Sequence, residues 1–453
     1  KKIFCMEAAI RKVHDILTMI RKDDRDYANV ITAVVKAKQE WKIGQFKTVA
    51  QLREMLMKMR EFFIPSMHHN YISILCNEYR MLLERNNVIR IGMKWWNGGA
   101  ELLYKFLNGD MPKMIWVDGD ITGLDKHIQD WMLYLYCHGA HPYFDWASMN
   151  SKDSKFLKNL LIFWASNVCA KLVCHVGGFW RYMLGQMYSG GKETSHGDSW
   201  IMAFLFYCYC QQVKAANPGR AILIDRLLAL MIIVIVVYGD DHIWCAPEIL
   251  SDIMNHNTWR DFLKDYCGME LRDAHTYTSL LSVPDHTGRL KVRGPRFLKR
   301  HIIRNTDPEI KVNFLPYKEI DEMMIKSFAL ETHWSPEVKL IVTGMAWDTM
   351  FTNRPAYDTL RAYYVALDKL DTRTPYEILQ TLDFNKFESY RIRKLMKKVG
   401  MQVEEFYKFP DWEVEKYRHT FDMEKANYII RPENLNDLPQ EYEYDEQDYA
   451  GEF

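Results

Sequence analysis

From Glu7 to about Glu84 apolar residues recur at spacings of three and four, in Ala8, Ile10, Val13, Ile16, Leu17 and Ile20 and again in Leu52, Met55, Leu56 and Met59. One face of an α-helix repeats at that spacing, so the segment predicts a helical lobe. Between Val88 and about Asp307 the period shortens. Short runs with β-branched residues, Met114 to Val117, Leu172 to Val176, Ile232 to Val237 and Leu290 to Val292, alternate with helical stretches, which predicts a centre of mixed sheet and helix. Past Asp307 the helical spacing returns through Glu319 to Leu330, Pro375 to Leu382 and Glu388 to Val399. No internal repeat and no low-complexity linker divides the chain. The expected class is α+β.

The longest apolar run, Leu227 to Val237, has eleven residues, whereas spanning a bilayer takes about 20. It reads as a buried strand, and no transmembrane segment is expected. Hydrophobic residues are 48% and charged residues 26% of the 453, which excludes a wholly disordered or membrane-embedded chain. Lys plus Arg number 59, as do Asp plus Glu, so net charge names no partner. The distribution is uneven: Glu433 to Phe453 holds eight acids and no Lys or Arg, leaving the first 432 residues net basic. Nine cysteines, an odd number set among apolar neighbours as at Cys169, Cys208 and Cys210, read as free thiols in a reducing compartment.

Acids interrupt the apolar pattern of the centre. Ile232 to Trp244 reads as a buried strand that breaks at Tyr238 and Gly239, presents Asp240 and Asp241, and resumes as Ile243 and Trp244. Carboxylates on a tight hairpin turn escape the core yet stay fixed by both strands, which suits a hard divalent cation such as Mg2+. An ordinary hairpin turn has the same residues. Upstream, the strand from Met114 carries Asp118 and Asp120 on one face, because strand side chains alternate, and Asp125 follows a turn at Gly123. Should the two elements pair, Asp120 and Asp240 jointly hold two metal ions about 4 Å apart, the arrangement used for in-line phosphoryl displacement. Asp118 is expected as a solvated strand end.

Two further segments carry chemistry. Ser189-Gly-Gly-Lys-Glu-Thr194 runs into the helical pattern that starts at Ile201. Gly190 and Gly191 let backbone approach a ligand, and the hydroxyls of Ser189 and Thr194 can bond sugar or phosphate oxygens; a capped loop before a helix looks the same. Gly288 to Arg304 holds seven Lys or Arg and no acid, interleaved with Phe297 and Leu298. Such a strip can track a nucleic-acid backbone, or be a solvated basic hairpin.

In this order the chain resembles the viral RNA-dependent RNA polymerases of the picornavirus- and calicivirus-like positive-strand RNA viruses. Asp120-x4-Asp125 resembles that family's motif A, Ser189-Gly-x3-Thr194 motif B, Tyr238-Gly-Asp-Asp241 motif C and Phe297-Leu-Lys-Arg300 motif E. The resemblance implies a right-hand polymerase fold, with fingers over residues 1–113, palm over 114–135, a fingers insertion over 136–187, palm again over 188–304, and a helical thumb with an acidic tail over 305–453. It implies templated nucleotidyl transfer, with Asp120 and Asp240 as ligands of two Mg2+ ions, Mn2+ as the alternative, and Asp241 as a secondary ligand. Asp125, Thr194 and position 198 are then expected at the ribose 2′-hydroxyl, and Ser189 to Gly191 against template and nucleotide. Arg90 is expected at the triphosphate, with Arg85 and Lys94 as auxiliaries, and Lys299 and Arg300 at the primer strand, with Phe297 and Leu298 packing beneath. The implied partners are RNA template and primer or nascent strand, nucleoside triphosphates, and other viral replication or capsid proteins. The implied location is host cytoplasm, a viral replication complex or the virion, and the chain is expected to be one region of a longer polyprotein.

Two positions depart from the family. Asp198 stands where the usual residue is Asn; an ionised carboxylate only accepts hydrogen bonds, so either its pKa is raised or a cation such as Lys192 intervenes. The Lys of motif D is missing, and His275, or else Arg272, is the substitute proton donor. Two rivals remain open: a reverse transcriptase, whose palm also carries paired acids, and a non-catalytic RNA-binding scaffold that kept the fold.

Overall fold

The structure, a computed structural model, describes residues 2–22, 30–36, 60–65, 67–84, 88–93, 95, 98–174, 180–188, 191–310, 312–328, 337–381 and 407–413. Helices α1 (Lys2–Arg21) and α2 (Met67–Leu83) bear out part of the expected helical lobe, but strands β1 (Val30–Lys36) and β2 (Arg60–Pro65) lie between them. Five β-branched residues in seven explain β1: Val30, Ile31, Thr32, Val34 and Val35 favour a pleated strand over a helix. The Leu52 to Met59 spacing lies outside the described residues. Downstream come α3 (Gly99–Phe106), β3 (Met114–Ile121), α4 (Leu124–His127), α5 (Asp130–His138), α6 (Ser151–Cys169), β4 (Ala170–Cys174) and β5 (Trp180–Leu184). β4 lies parallel to β1, giving a sheet in the order β2-β1-β4-β5.

A second sheet forms from β3 and three later strands, β6 (Val234–Tyr238), β7 (Asp241–Pro247) and β8 (Leu271–Tyr277). Its order is β6-β7-β3-β8, with all neighbours antiparallel. Alternation gives it two buried faces. Ile115, Val117, Ile121, Ile235, Val237 and Trp244 belong to the largest core cluster. There they pack with Leu205 and Phe206 of α7 (Thr194–Ala216) and with Trp259 and Leu263 of α9 (His256–Cys267). Met114, Trp116, Val234, Val236, Ile243 and Cys245 enter a second core with Leu103 of α3 and Phe297. Being apolar on both faces, the strands show runs of apolar residues, and the acids fall where those runs stop.

The run from Leu227 to Val237 is not one strand. Leu227 to Ala229 close helix α8 (Ala221–Ala229), Met231 turns the chain at φ 55°, and the strand begins at Val234. Leu and Ala are good helix formers while the run of Ile and Val from Ile232 favours strand, so the break follows the side chains.

Strands β9 (Leu281–Pro284), β10 (Leu290–Val292), β11 (His301–Arg304) and β12 (Phe314–Tyr317) make a third sheet in the order β10-β9-β11-β12. Helices α10 (Ile320–Phe328), α11 (Glu337–Thr349), α12 (Arg354–Leu370) and α13 (Pro375–Thr381) follow. α10, α11 and α12 share a small core of their own around Met323, Val338, Val342 and Leu360. Glu388 to Val399 and the acidic tail lie outside the described residues. The chain is thus mixed α and β, compatible with the expected α+β class. Among the described residues no helix is long and apolar enough to cross a membrane, and the eight described cysteines form no disulfide.

Candidate functional site

β6 and β7 are joined by a two-residue turn, Gly239 and Asp240, closed by the pair Tyr238 and Asp241. Gly239 sits at φ 66°, a left-handed conformation that a side chain makes costly. β7 continues against β3 in a register that pairs Ile243 with Asp118 and His242 with Gly119. The next position along that register sets Asp120 across from Asp241. Acids 120 residues apart in sequence therefore meet at one end of one sheet, with Asp240 exposed at the turn and Asp120 exposed at the strand end. Burial, together with the charges of Asp240 and Asp120, pushes the Asp241 carboxyl up to about 6, against the pull of Arg296 and Lys299.

Asp118 is corrected from solvated to buried. It is 6% exposed, its Oδ2 accepts from the amide of Arg296 at 2.8 Å and from the Tyr277 hydroxyl at 3.3 Å, and burial pushes it up to about 6. It thus ties β3 to the start of the Phe-Leu-Lys-Arg segment. The reason is packing: Asp118 lies on the sheet face covered by Phe297, not at the open end.

Asp198 lies in the first turns of α7. Its Oδ1 is shut off from solvent and has no hydrogen-bond partner, and burial, then the charges of Asp125 and Asp240, hold its pKa well above the carboxylate range. Asp125, Asp198 and Asp240 are therefore neighbours. Lys192 does not intervene; it is exposed and turned toward Glu78, 3.9 Å away. Ser199, one residue on, accepts from the amide of Gly239 at 2.8 Å, joining α7 directly to the acid-bearing turn.

The remaining expected residues are placed variously. Ser189, Gly190, Arg85 and Lys94 lie outside the described residues. At Gly191 a Cβ would come within 2.6 Å of the Tyr188 ring, so glycine is needed there. The Thr194 hydroxyl donates to the carbonyls of Tyr188 and Gly191, closing the loop on itself rather than reaching outward. Arg90 adjoins the edge of β6, where its amide donates to Val237 O at 2.9 Å. Its guanidinium is 8% exposed and stacked 4.2 Å over Phe106, and burial lowers it to about 10. Phe297 and Arg300 exchange two backbone hydrogen bonds around Leu298 and Lys299, both left-handed at φ 49° and 60°. Non-glycine residues pay about 1–2 kcal/mol each for that conformation. Phe297 is buried and Leu298 packs against the same core. Arg300 is bound to Asp348 of α11, which also takes Lys318 at 2.6 Å, while the charge of Lys299 acts on Asp241.

His275 is exposed and pairs across β8 with Asp118, not with Asp120 or Asp240. A bulge at Asp273, at φ 49°, shifts the register so that Arg272 pairs with Asp120 along the strands, while its guanidinium bonds Glu270 at 3.1 Å. The sequence reading missed His242. It is 1% exposed, its Nε2 accepts from the Trp259 indole at 3.0 Å, and its Nδ1 lies 3.0 Å from the carbonyl of Asp240. An indole only donates, so the imidazole is neutral and its proton sits on Nδ1, directed at Asp240. Only its place beside the Gly-Asp-Asp turn could have marked it.

The donor set of Asp120, Asp240 and Asp241 is all oxygen, and its mutual repulsion is what a hard divalent cation would relieve. Among the described residues no three His, Cys, Asp or Glu side chains are already gathered at metal-binding spacing. No family model matches the chain, and no curated protein does.

Proposed function

We propose that this chain is an RNA-directed RNA polymerase that replicates and transcribes a viral RNA genome. The observation that carries the reading is the β3–β7 register, which sets Asp120 across from Asp241 beside Asp240, with Asp125 and Asp198 as neighbours. On this reading the β6-β7-β3-β8 sheet belongs to the palm, α1, α2 and the β2-β1-β4-β5 sheet to the fingers, and α10 to α13 to the thumb.

Asp120, Asp240 and Asp241 would hold Mg2+, or Mn2+, which when bound supplies Lewis acidity to the primer hydroxyl and the triphosphate. The protein's own side chains do the rest. Asp125 and Asp198 face the incoming ribose, and with a raised pKa Asp198 can keep a proton and donate a hydrogen bond, as the Asn usual at that position does. That accounts for the departure from the family. Arg296 and Lys299 bring positive charge toward Asp241 from the side expected to carry the primer strand. His275, or else Arg272, which is in register with Asp120, is the proton donor to the departing pyrophosphate, and Arg90, stacked on Phe106, is the residue for the triphosphate.

The test is extension of a primed homopolymeric RNA by the full chain with Mg2+ or Mn2+, using ribo- and deoxyribonucleotides in parallel. Ribonucleotide incorporation that Asp240→Ala abolishes is the expected result. Preference for deoxyribonucleotides would point to a reverse transcriptase. Tight RNA binding without any synthesis would point to a scaffold.

A further inference from the structure

One face of α2 is polar where it should be apolar. His69, Ser73, Asn77 and Arg80 follow one another at helical spacing, and each is at most 2% exposed. His69 and Ser73 pack against the segment that ends the Ser-Gly-Gly-Lys loop, while Asn77 and Arg80 donate to the hydroxyl and the carbonyl of Tyr136 in α5. Glu193, fully buried, places Oε1 2.7 Å from His69 Nε2 and accepts from Ser73 Oγ at 2.8 Å on Oε2. The Tyr188 hydroxyl reaches the same node, 2.6 Å from His69 Nε2 and hydrogen-bonded to Glu193. The amide of Lys192 donates to Asn70 Oδ1 at 2.9 Å. Tyr188, just before the loop, and Lys192 and Glu193, within it, are therefore pinned to one turn of one helix. Three residues past Glu193, His196 Nε2 meets Glu84, at the end of α2, at 2.9 Å.

A buried carboxylate with its donors is no more stabilising than apolar packing of the same volume, but it fixes geometry. Here the geometry fixed is the first turn of α7, which is held on one side by α2 through Glu193 and His196. On its other side that turn carries Asp198 and bonds Gly239 through Ser199. We propose that Glu193 is a positioning residue: with His69, Ser73 and Tyr188 it anchors the loop to α2, and so sets how Asp125 and Asp198 receive a nucleoside triphosphate. This rests on the polymerase reading and adds to it a nucleotide-positioning role for a buried acid inside the loop segment.

The test compares wild type with Glu193→Gln and Tyr188→Phe in the full chain. Gln keeps the shape of Glu but turns an amide NH2 toward groups that themselves donate; Phe removes one hydroxyl and keeps the ring. Hydrogen exchange of the amides in 187–194 should speed about tenfold in Glu193→Gln and less in Tyr188→Phe, with other regions unchanged. The KM for the nucleotide should rise about fivefold or more while kcat and RNA affinity change less than about twofold. Unchanged exchange in both variants, or faster exchange with an unchanged KM, overturns the proposal. Absence of synthesis in wild type overturns the polymerase reading itself, and the exchange data keep the two failures apart.

Discussion

The amide of Gly239 donates to the hydroxyl of Ser199 across 2.8 Å of protein interior, and the same hydroxyl donates back to the carbonyl of Ser195. One side chain thus connects the acid-bearing turn to the helix carrying Asp198. Ser199→Ala leaves a buried amide without its acceptor and should cost about 1–3 kcal/mol in urea unfolding. Ser199→Thr, which keeps the hydroxyl, should recover most of it. Equal stability of the Ala variant and wild type would show that the bond carries no weight.

Asp241 sets a pH dependence. Its folded pKa is raised to about 6 by burial and by Asp240 and Asp120, against about 3.9 unfolded. Between those values the folded chain holds more proton than the unfolded, so this group's contribution to stability falls as pH rises through the window. With chelator present, Asp241→Asn should therefore melt higher than wild type at pH 7.5 and about equally at pH 4. Adding Mg2+ should raise the melting temperature of wild type more than that of the variant, which keeps Asp120 and Asp240 but lacks the secondary ligand. A variant that melts lower at pH 7.5 would contradict this.

Trp259→Phe removes the donor that fixes His242. In wild type the imidazole nitrogen shifts should report a proton on Nδ1 and none on Nε2. The variant should lose about 1–2 kcal/mol and show a mixture of tautomers. A wild-type spectrum with the proton on Nε2 would refute the assignment.

Asp348 receives both Arg300 and Lys318 and is less than a fifth exposed, at 18%. Burial raises its pKa, but those two cations outweigh burial and hold the carboxyl below its ordinary value. Its stabilisation is then present above the unfolded pKa and lost as pH falls through the folded one. Asp348→Ala should cost about 2–4 kcal/mol at pH 7, since it strands two half-buried cations. The cost should shrink toward pH 3; a pH-independent difference would argue that packing, not charge, is what was lost.

On the proposed polymerase reading, Arg272 and His275 are alternatives for one role. The bulge at Asp273 brings Arg272 into register with Asp120, its guanidinium bonded to Glu270 at 3.1 Å, and leaves His275 opposite Asp118. Arg272→Ala should slow single-nucleotide addition about tenfold or more under pre-steady-state conditions, and His275→Gln less. The reverse order would restore His275.

Much of this was legible in the order of residues. Alternation around Asp118 and Ile243 and a Gly-Asp-Asp turn between apolar strands follow from side-chain periodicity, and the nearness of Asp198 to Asp125 was implied by the resemblance; that Asp240 is also close was not. The errors share a cause. Helical spacing before residue 84 concealed β1, whose partners β2 and β4 lie up to 142 residues away, as Val30 from Leu172, and the apolar run at Leu227 concealed a helix end. A local pattern reports which residues are apolar, not which neighbour will cover them.

What the sequence alone determined is the inventory: acids at turns, glycine where the backbone goes left-handed, a basic strip beside Phe297. The tertiary structure decided which of those acids are solvated. Asp118 and Asp120 are two residues apart on one strand face, yet Phe297 covers the first and the second stands at the open end of the sheet. It also decided that His69 and Ser73 of α2 would be buried against Glu193, and Asn77 and Arg80 against Tyr136. Burial and pairing are properties of contacts between distant segments, and those contacts set both the charge of a carboxyl and what it can bind.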